Sequence, residues 1–136
     1  MKRAFVDTNV ILRFLTGDPP ELAARARSLF ESVDRGEVAL VIDEIVLAEA
    51  VWVLESFYSY PGEQVSRVLQ QLLTHQGLLA DNKAGLLAAL ALYGTKHIDF
   101  SDALVAVHMG QQGVKDLFSF DHHFDRLPGI ARQEPG

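Results

Sequence analysis

Arg3-Ala4-Phe5-Val6-Asp7-Thr8-Asn9-Val10-Ile11-Leu12 is the stretch from which the fold follows. Residues 3–6 suit a short buried strand, and residues 10–15 carry apolar side chains at helical spacing. Between them stand Asp7, Thr8 and Asn9, all good helix caps. A strand that turns at once into a helix is the opening of a β–α–β chain, the building block of parallel sheets.

The alternation continues outward. Pro20 suits the first position of a helix over residues 21–34, which places Leu22, Ala26, Leu29, Phe30 and Val33 on one face; Gly36 ends it. Residues 37–42 read as a strand, and Asp43 caps a helix running to about residue 57. Residues 58–62 form a loop, 63–75 an amphipathic helix and 77–80 a short strand. Asp81 or Asn82 caps a helix over 83–93 that Gly94 closes. Asp99-Phe100-Ser101 opens a helix ending near Gly113. Residues 115–120 form a strand, 121–127 a helical turn and 130–132 a last edge strand. There is no repeat or linker, so the reading is one α/β domain over residues 1–136 with a mainly parallel sheet.

Composition narrows the chemistry. The 136 residues contain no cysteine, which excludes a disulfide framework, a thiolate zinc site and a cysteine nucleophile. The longest uncharged runs, 84–95 and 103–114, are 12 residues each, the length of core helices and too short for a bilayer. A cytoplasmic protein with no membrane association is expected. The net charge of −6 argues against a broad grip on nucleic acid. If four acids line one metal site, only −2 remains for the rest, and bound cations invert the local field.

The acids fall where a parallel sheet forms its crevice, at the carboxyl ends of strands. Asp7 follows the first strand, and Asp121 follows Leu117-Phe118-Ser119-Phe120. Each has a plainer reading, Asp7 as a helix cap and Asp121 as a solvated turn residue. Asp125, one helical turn later, can face the same way as Asp121. Asp102 occupies the first turn of its helix, where the dipole alone favours an acid; Asp99 or Ser101 suffices as the cap. Glu49 lies in Ile45-Val46-Leu47-Ala48-Glu49-Ala50-Val51-Trp52-Val53-Leu54, apolar almost all round. That helix is expected to be mostly buried, so Glu49 needs a partner from outside it: an Arg, a metal or a proton. The other reading is one solvent-facing stripe through Glu49. Carboxylates gathered without a cation repel one another. Hard oxygen donors suit Mg²⁺ or Mn²⁺, and phosphodiester hydrolysis is the usual work of such a site.

In this order, Phe5-Val6-Asp7-Thr8-Asn9, Leu47-Ala48-Glu49, Asp99-Phe100-Ser101-Asp102-Ala103-Leu104 and Ser119-Phe120-Asp121-His122-His123-Phe124-Asp125 resemble the PIN-domain family, in particular its VapC toxin branch. The resemblance spans essentially the whole chain. It implies a three-layer α/β/α fold with a central, mainly parallel sheet, and Mg²⁺- or Mn²⁺-dependent cleavage of single-stranded RNA. It also implies a homodimer and a cognate antitoxin that blocks the site. By motif, Asp7, Glu49, Asp102 and Asp121 would be both the catalytic and the metal-holding quartet. Thr8 and Asn9 would orient Asp7, Ser119 would steady water at the metal, and Asp99 and Asp125 would support the site.

His122-His123 depart from the family pattern, where a lysine or another acid is common. They read either as solvated turn residues or as imidazoles that bind a softer metal or touch RNA phosphate. His108, in an apolar helix, reads as a hydrogen-bonded core residue. Trp52 reads as core or, with Phe57, Tyr58 and Tyr60, as part of an interface. Two other functions compete. Asp7 would serve as the nucleophile of an aspartyl phosphatase, although Asn9 stands where a second Asp is usual. A PIN-like module that binds RNA or protein without catalysis is the other. No phosphate-binding loop, dinucleotide fingerprint or helical zinc pair is present.

Overall fold

The computed structural model describes residues 2–136. Strand β1 (Lys2–Phe5) leads through Val6 and Asp7 into helix α1 (Thr8–Thr16), closed by Gly17 in the left-handed conformation that glycine adopts without cost. Helix α2 (Pro20–Asp34) starts on Pro20 as expected. Its inner face is Ala23, Ala26, Phe30 and Val33 with Leu29 partly buried beside them, so the expected face holds except at Leu22, which is exposed, and Ala23 joins it. The side chains that seat α2 are small alanines, which let it pack closely on α1, where Phe30 stacks on Phe14 with ring centroids 4.1 Å apart.

Strand β2 (Val38–Val41) then runs parallel to β1, with Phe5 opposite Val41. Asp43 caps helix α3 (Glu44–Ser56), accepting from the Ile45 amide at 3.0 Å. Helix α4 (Gly62–Leu72) leads to the short β3 (Leu78–Leu79), parallel to β2 with Val41 opposite Leu79. Asn82 caps helix α5 (Lys83–Lys96) by accepting from the Gly85 amide. Gly94 does not end this helix. It lies inside it against Ser66 of α4, where a Cβ would come within 2.7 Å of the serine Cβ and Oγ. The helix ends three residues later, at His97 in the left-handed region. Helix α6 (Phe100–Gln112) ends on left-handed Gly113, as the sequence indicates.

The last strands, β4 (Asp116–Phe118) and β5 (Ala131–Gln133), pair in parallel around a 3-10 turn, His122–Arg126. The expected α/β class with parallel pairing therefore holds, but the strands form two ladders, β1–β2–β3 and β4–β5, instead of one central sheet. Neither β1, which begins with Lys2 and Arg3, nor β4, which begins with Asp116, has the continuous apolar sequence of a strand covered on both sides. The helices join the two ladders. Helix α5 packs on both α4 and α6, and α3 touches α6. A shared core of Leu47, Leu54, Leu69, Leu78, Leu90 and Phe100 lies among them.

This topology places acids at the carboxyl ends of the strands. Asp7, Asp43 and Asp81 each stand two residues beyond the paired positions Phe5, Val41 and Leu79, so all three leave the first ladder at its carboxyl end. Asp121 leaves β4 at the corresponding end of the second ladder.

Candidate metal centre

Asp121 is fixed by its own turn. Its backbone N–H donates to Ser119 Oγ at 2.9 Å, and its Oδ1 accepts from the His123 backbone N–H at 2.8 Å. The second bond is the Asx-turn that Asp forms readily after a strand. It brings the His123 ring to the same carboxylate, with Nδ1 3.1 Å from Oδ1. Asp102 approaches from the first turn of α6. Asp102, Asp121 and His123 each present one potential ligand atom, all within 4.8 Å of one another.

The electrostatics match that crowding. Partial burial, the Asp121 carboxylate and the Asp99 carboxylate all hold the Asp102 pKa above the usual carboxylate range, and His123 opposes them weakly. Like charges held together in this way favour a bound proton or a cation. Two oxygen anions with an imidazole beside them form a donor set that fits a divalent cation.

The other expected residues stand differently. Asp7 is exposed, lies outside the three-residue cluster and makes no side-chain capping bond, although its carbonyl starts α1. Glu49 is also exposed and outside the cluster. The buried face of α3 is Leu47, Ala50, Val51 and Leu54, and the opposite face is Ile45, Glu49, Trp52 and Ser56. The solvent-facing stripe is therefore the correct reading of this helix, and burial of Glu49 is not. Ile45 and Trp52, 65% and 68% exposed, made the helix look buried because an apolar residue need not lie inside. Thr8 is buried, and its hydroxyl has no partner among the described residues, so no hydrogen bond runs from it to Asp7. Asn9 is exposed beside it. Asp99 takes the N-cap position of α6 by backbone geometry only.

Asp125 faces away from the cluster into a clamp that the sequence did not reveal. Arg132 on β5 donates Nε to Asp125 Oδ1 at 2.9 Å and Nη2 to Oδ2 at 3.3 Å. Its Nη1 donates to Glu134 Oε2 at 2.9 Å and to the Ser119 carbonyl at 3.0 Å. These bonds depress the Asp125 pKa. They also tie the strand end that carries Asp121 to β5. Only the parallel register, with Arg132 opposite Leu117, brings the guanidinium to this place, so no local sequence signal announces it. His122 belongs to the clamp too, with Nδ1 3.0 Å from Arg132 Nη2. His108 is half-buried and 3.8 Å from Glu44 at the start of α3, so it is not the core residue expected.

Away from the acids, Trp52 and Phe57 stand exposed over a groove shared with Asn9, Arg13 and Tyr58. No helix among the described residues is long and apolar enough to cross a membrane.

Comparison with known proteins places this chain in a family. A VapC ribonuclease of Aquifex aeolicus (strain VF5) is 28% identical over 122 residues, 90% of each chain. The crystal structure of VapBC2 from Rickettsia felis bound to a DNA fragment from their promoter aligns over 98% of both chains at 19% identity, with a TM-score of 0.38. The PIN domain model matches residues 4–130. The chain belongs to the PIN domain family.

Proposed function

We propose that this chain is a divalent-metal-dependent endoribonuclease, the toxin of a toxin–antitoxin pair, that hydrolyses phosphodiester bonds of single-stranded RNA. The convergence of Asp102 and Asp121 at one edge of the fold carries the reading, because two adjacent carboxylates without a cation destabilise each other. The related VapC ribonuclease supports the same chemistry. Asp102 and Asp121 hold Mg²⁺ or Mn²⁺, and Asp7 and Glu49 complete the quartet. Both are exposed, so both are open to a bound phosphate and its cation. When bound, the cation supplies Lewis acidity that activates water and neutralises phosphate charge. The protein's share is placement. Ser119 and the Asp121 turn hold one carboxylate at a fixed angle, and the α6 N-terminus favours a negative charge at Asp102 and at an incoming phosphate.

A cytoplasmic protein that meets a second copy and an antitoxin completes the reading. The exposed Ile45, Trp52 and Phe57 on and after α3 support a protein partner. Light scattering of the purified chain is expected to give twice the monomer mass; a monomer across micromolar concentrations rejects the dimer. The central test is cleavage of a labelled single-stranded RNA in Mg²⁺, Mn²⁺ or EDTA, alongside Asp102→Asn. Cleavage that needs metal and is lost in the variant is expected. Cleavage that survives in the variant refutes the assignment of the centre.

A further inference from the structure

We propose that His123 is a direct metal ligand, so that the centre prefers a borderline transition cation such as Mn²⁺ or Co²⁺ to Mg²⁺. This rests on reading Asp102 and Asp121 as the seat of a divalent cation.

Three observations support the assignment. The ligand atoms of Asp102, Asp121 and His123 lie within 4.8 Å of one another, near enough to gather on one cation with a small side-chain adjustment. The His123 ring is carried by the same turn as Asp121, and the 2.8 Å bond from the His123 amide to Asp121 Oδ1 fixes the two residues together. The imidazole therefore comes to the carboxylate preplaced, at little cost in side-chain entropy. Finally, Nδ1 is 3.1 Å from Asp121 Oδ1. Neighbouring ligands about 2.1 Å from an octahedral cation sit about 3.0 Å apart, so the pair already has the span of one edge of such a polyhedron.

The other histidine of the turn is engaged elsewhere. His122 lies 3.0 Å from Arg132 Nη2 and 3.4 Å from Asp125, on the clamp side. No Lys or Arg is bonded to Asp102 or Asp121 among the described residues, so His123 is the basic side chain that faces this pair.

The donor set determines the preference. Mg²⁺ takes oxygen ligands and loses water reluctantly, so an imidazole adds little to its binding. Mn²⁺ and, more strongly, Co²⁺ accept nitrogen donors. A site with oxygen ligands alone would rank these ions by size and charge, whereas a ring nitrogen of His123 as ligand favours the transition ions over Mg²⁺.

The test is titration of the whole, metal-stripped chain with Mn²⁺ and with Mg²⁺ by calorimetry, together with pulsed electron paramagnetic resonance of bound Mn²⁺. Wild type, His123→Asn, His122→Asn and Asp102→Asn are compared. His123 is half exposed, so its replacement leaves the core intact. His123→Asn is expected to weaken Mn²⁺ by about tenfold or more and Mg²⁺ by less than about threefold. The wild-type Mn²⁺ signal should carry a directly bonded nitrogen coupling that vanishes in His123→Asn and persists in His122→Asn. Equal losses for the two ions, or a Mn²⁺ signal without nitrogen, overturn the proposal. If Asp102→Asn abolishes Mn²⁺ binding while His123→Asn does not weaken it, the metal centre stands and the histidine assignment falls. If nitrogen-ligated Mn²⁺ is present but no RNA is cut, the histidine assignment stands and the nuclease reading falls. A wild type that binds neither ion overturns both.

Discussion

Asp102→Asn is expected to make the metal-free protein more heat-stable and the Mn²⁺-loaded protein relatively less so. The carboxylate oxygens of Asp102 and Asp121 lie within 4.8 Å. At that separation two unit charges repel by about 0.9 kcal/mol in water and about 3.5 kcal/mol at an effective dielectric constant near 20. Both groups are half-buried, so about 1–2 kcal/mol is appropriate. Losing the favourable charge at the α6 N-terminus returns about 0.3–1 kcal/mol. The balance is a gain of about 1 kcal/mol, which for 136 residues raises Tm by about 3–4 °C. The pH dependence follows from the direction of the shift. Asp102 is raised above its ordinary 3.8, so the folded state penalises the ionised form. The variant's advantage is therefore absent below pH 3.8, grows as pH rises through the raised value and is complete above it. Mn²⁺ at about 100 times its Kd adds about 2.7 kcal/mol, near 9 °C, to wild type only. Differential scanning calorimetry at neutral pH, with and without Mn²⁺, checks both halves. A metal-free variant that melts below wild type, or an order that Mn²⁺ does not reverse, refutes the reasoning.

Two further changes probe the frame around the site. Thr8→Val replaces a buried, unpartnered hydroxyl with a methyl group of the same shape, and should stabilise the fold by about 1 kcal/mol in urea denaturation; a loss of that size would show that the hydroxyl has a partner. Gly94→Ala forces a Cβ to within 2.7 Å of Ser66 and should cost about 1–3 kcal/mol by the same measurement, so an unchanged midpoint would rule out the close helix contact.

Legibility followed the range of the interaction. Caps and turns are written in neighbouring residues, so Asp43, Asn82, Pro20 and Gly113 were readable from the chain alone. The acid after each strand was legible for the same reason at Asp7 and Asp121. Errors came where a distant surface decides. The stripe of α3 left to solvent depends on what packs on its other face, so the exposure of Glu49 and Trp52 was not in its own pattern. Gly94 resembles a terminator locally, and its reason for being glycine is Ser66 on another helix. Arg132 reaches Asp125 only because β4 and β5 pair in parallel. Sequence weighed His123 as a turn residue; the Asx-turn that carries its ring to Asp121 needs the orientation of the strand end as well.

The α4–α5 contact has a consequence for how this chain can drift. Ser66 Oγ donates to the Leu90 carbonyl at 2.6 Å and accepts from Gln70 at 2.9 Å, directly beside the bare Cα of Gly94. Positions 66, 70 and 94 therefore form one inherited unit. A larger residue at 94 meets the Cβ of residue 66 as well as its hydroxyl, so it needs glycine at 66, which also removes the hydroxyl and strands Gln70. A larger residue at 94 alone meets this clash, so a double replacement at 66 and 94 is the less obstructed route. Because α5 runs through this contact to the turn that starts α6, the unit also restrains the helix bearing Asp102. Lineages that keep the acids while altering this seam should therefore show paired changes at 66 and 94.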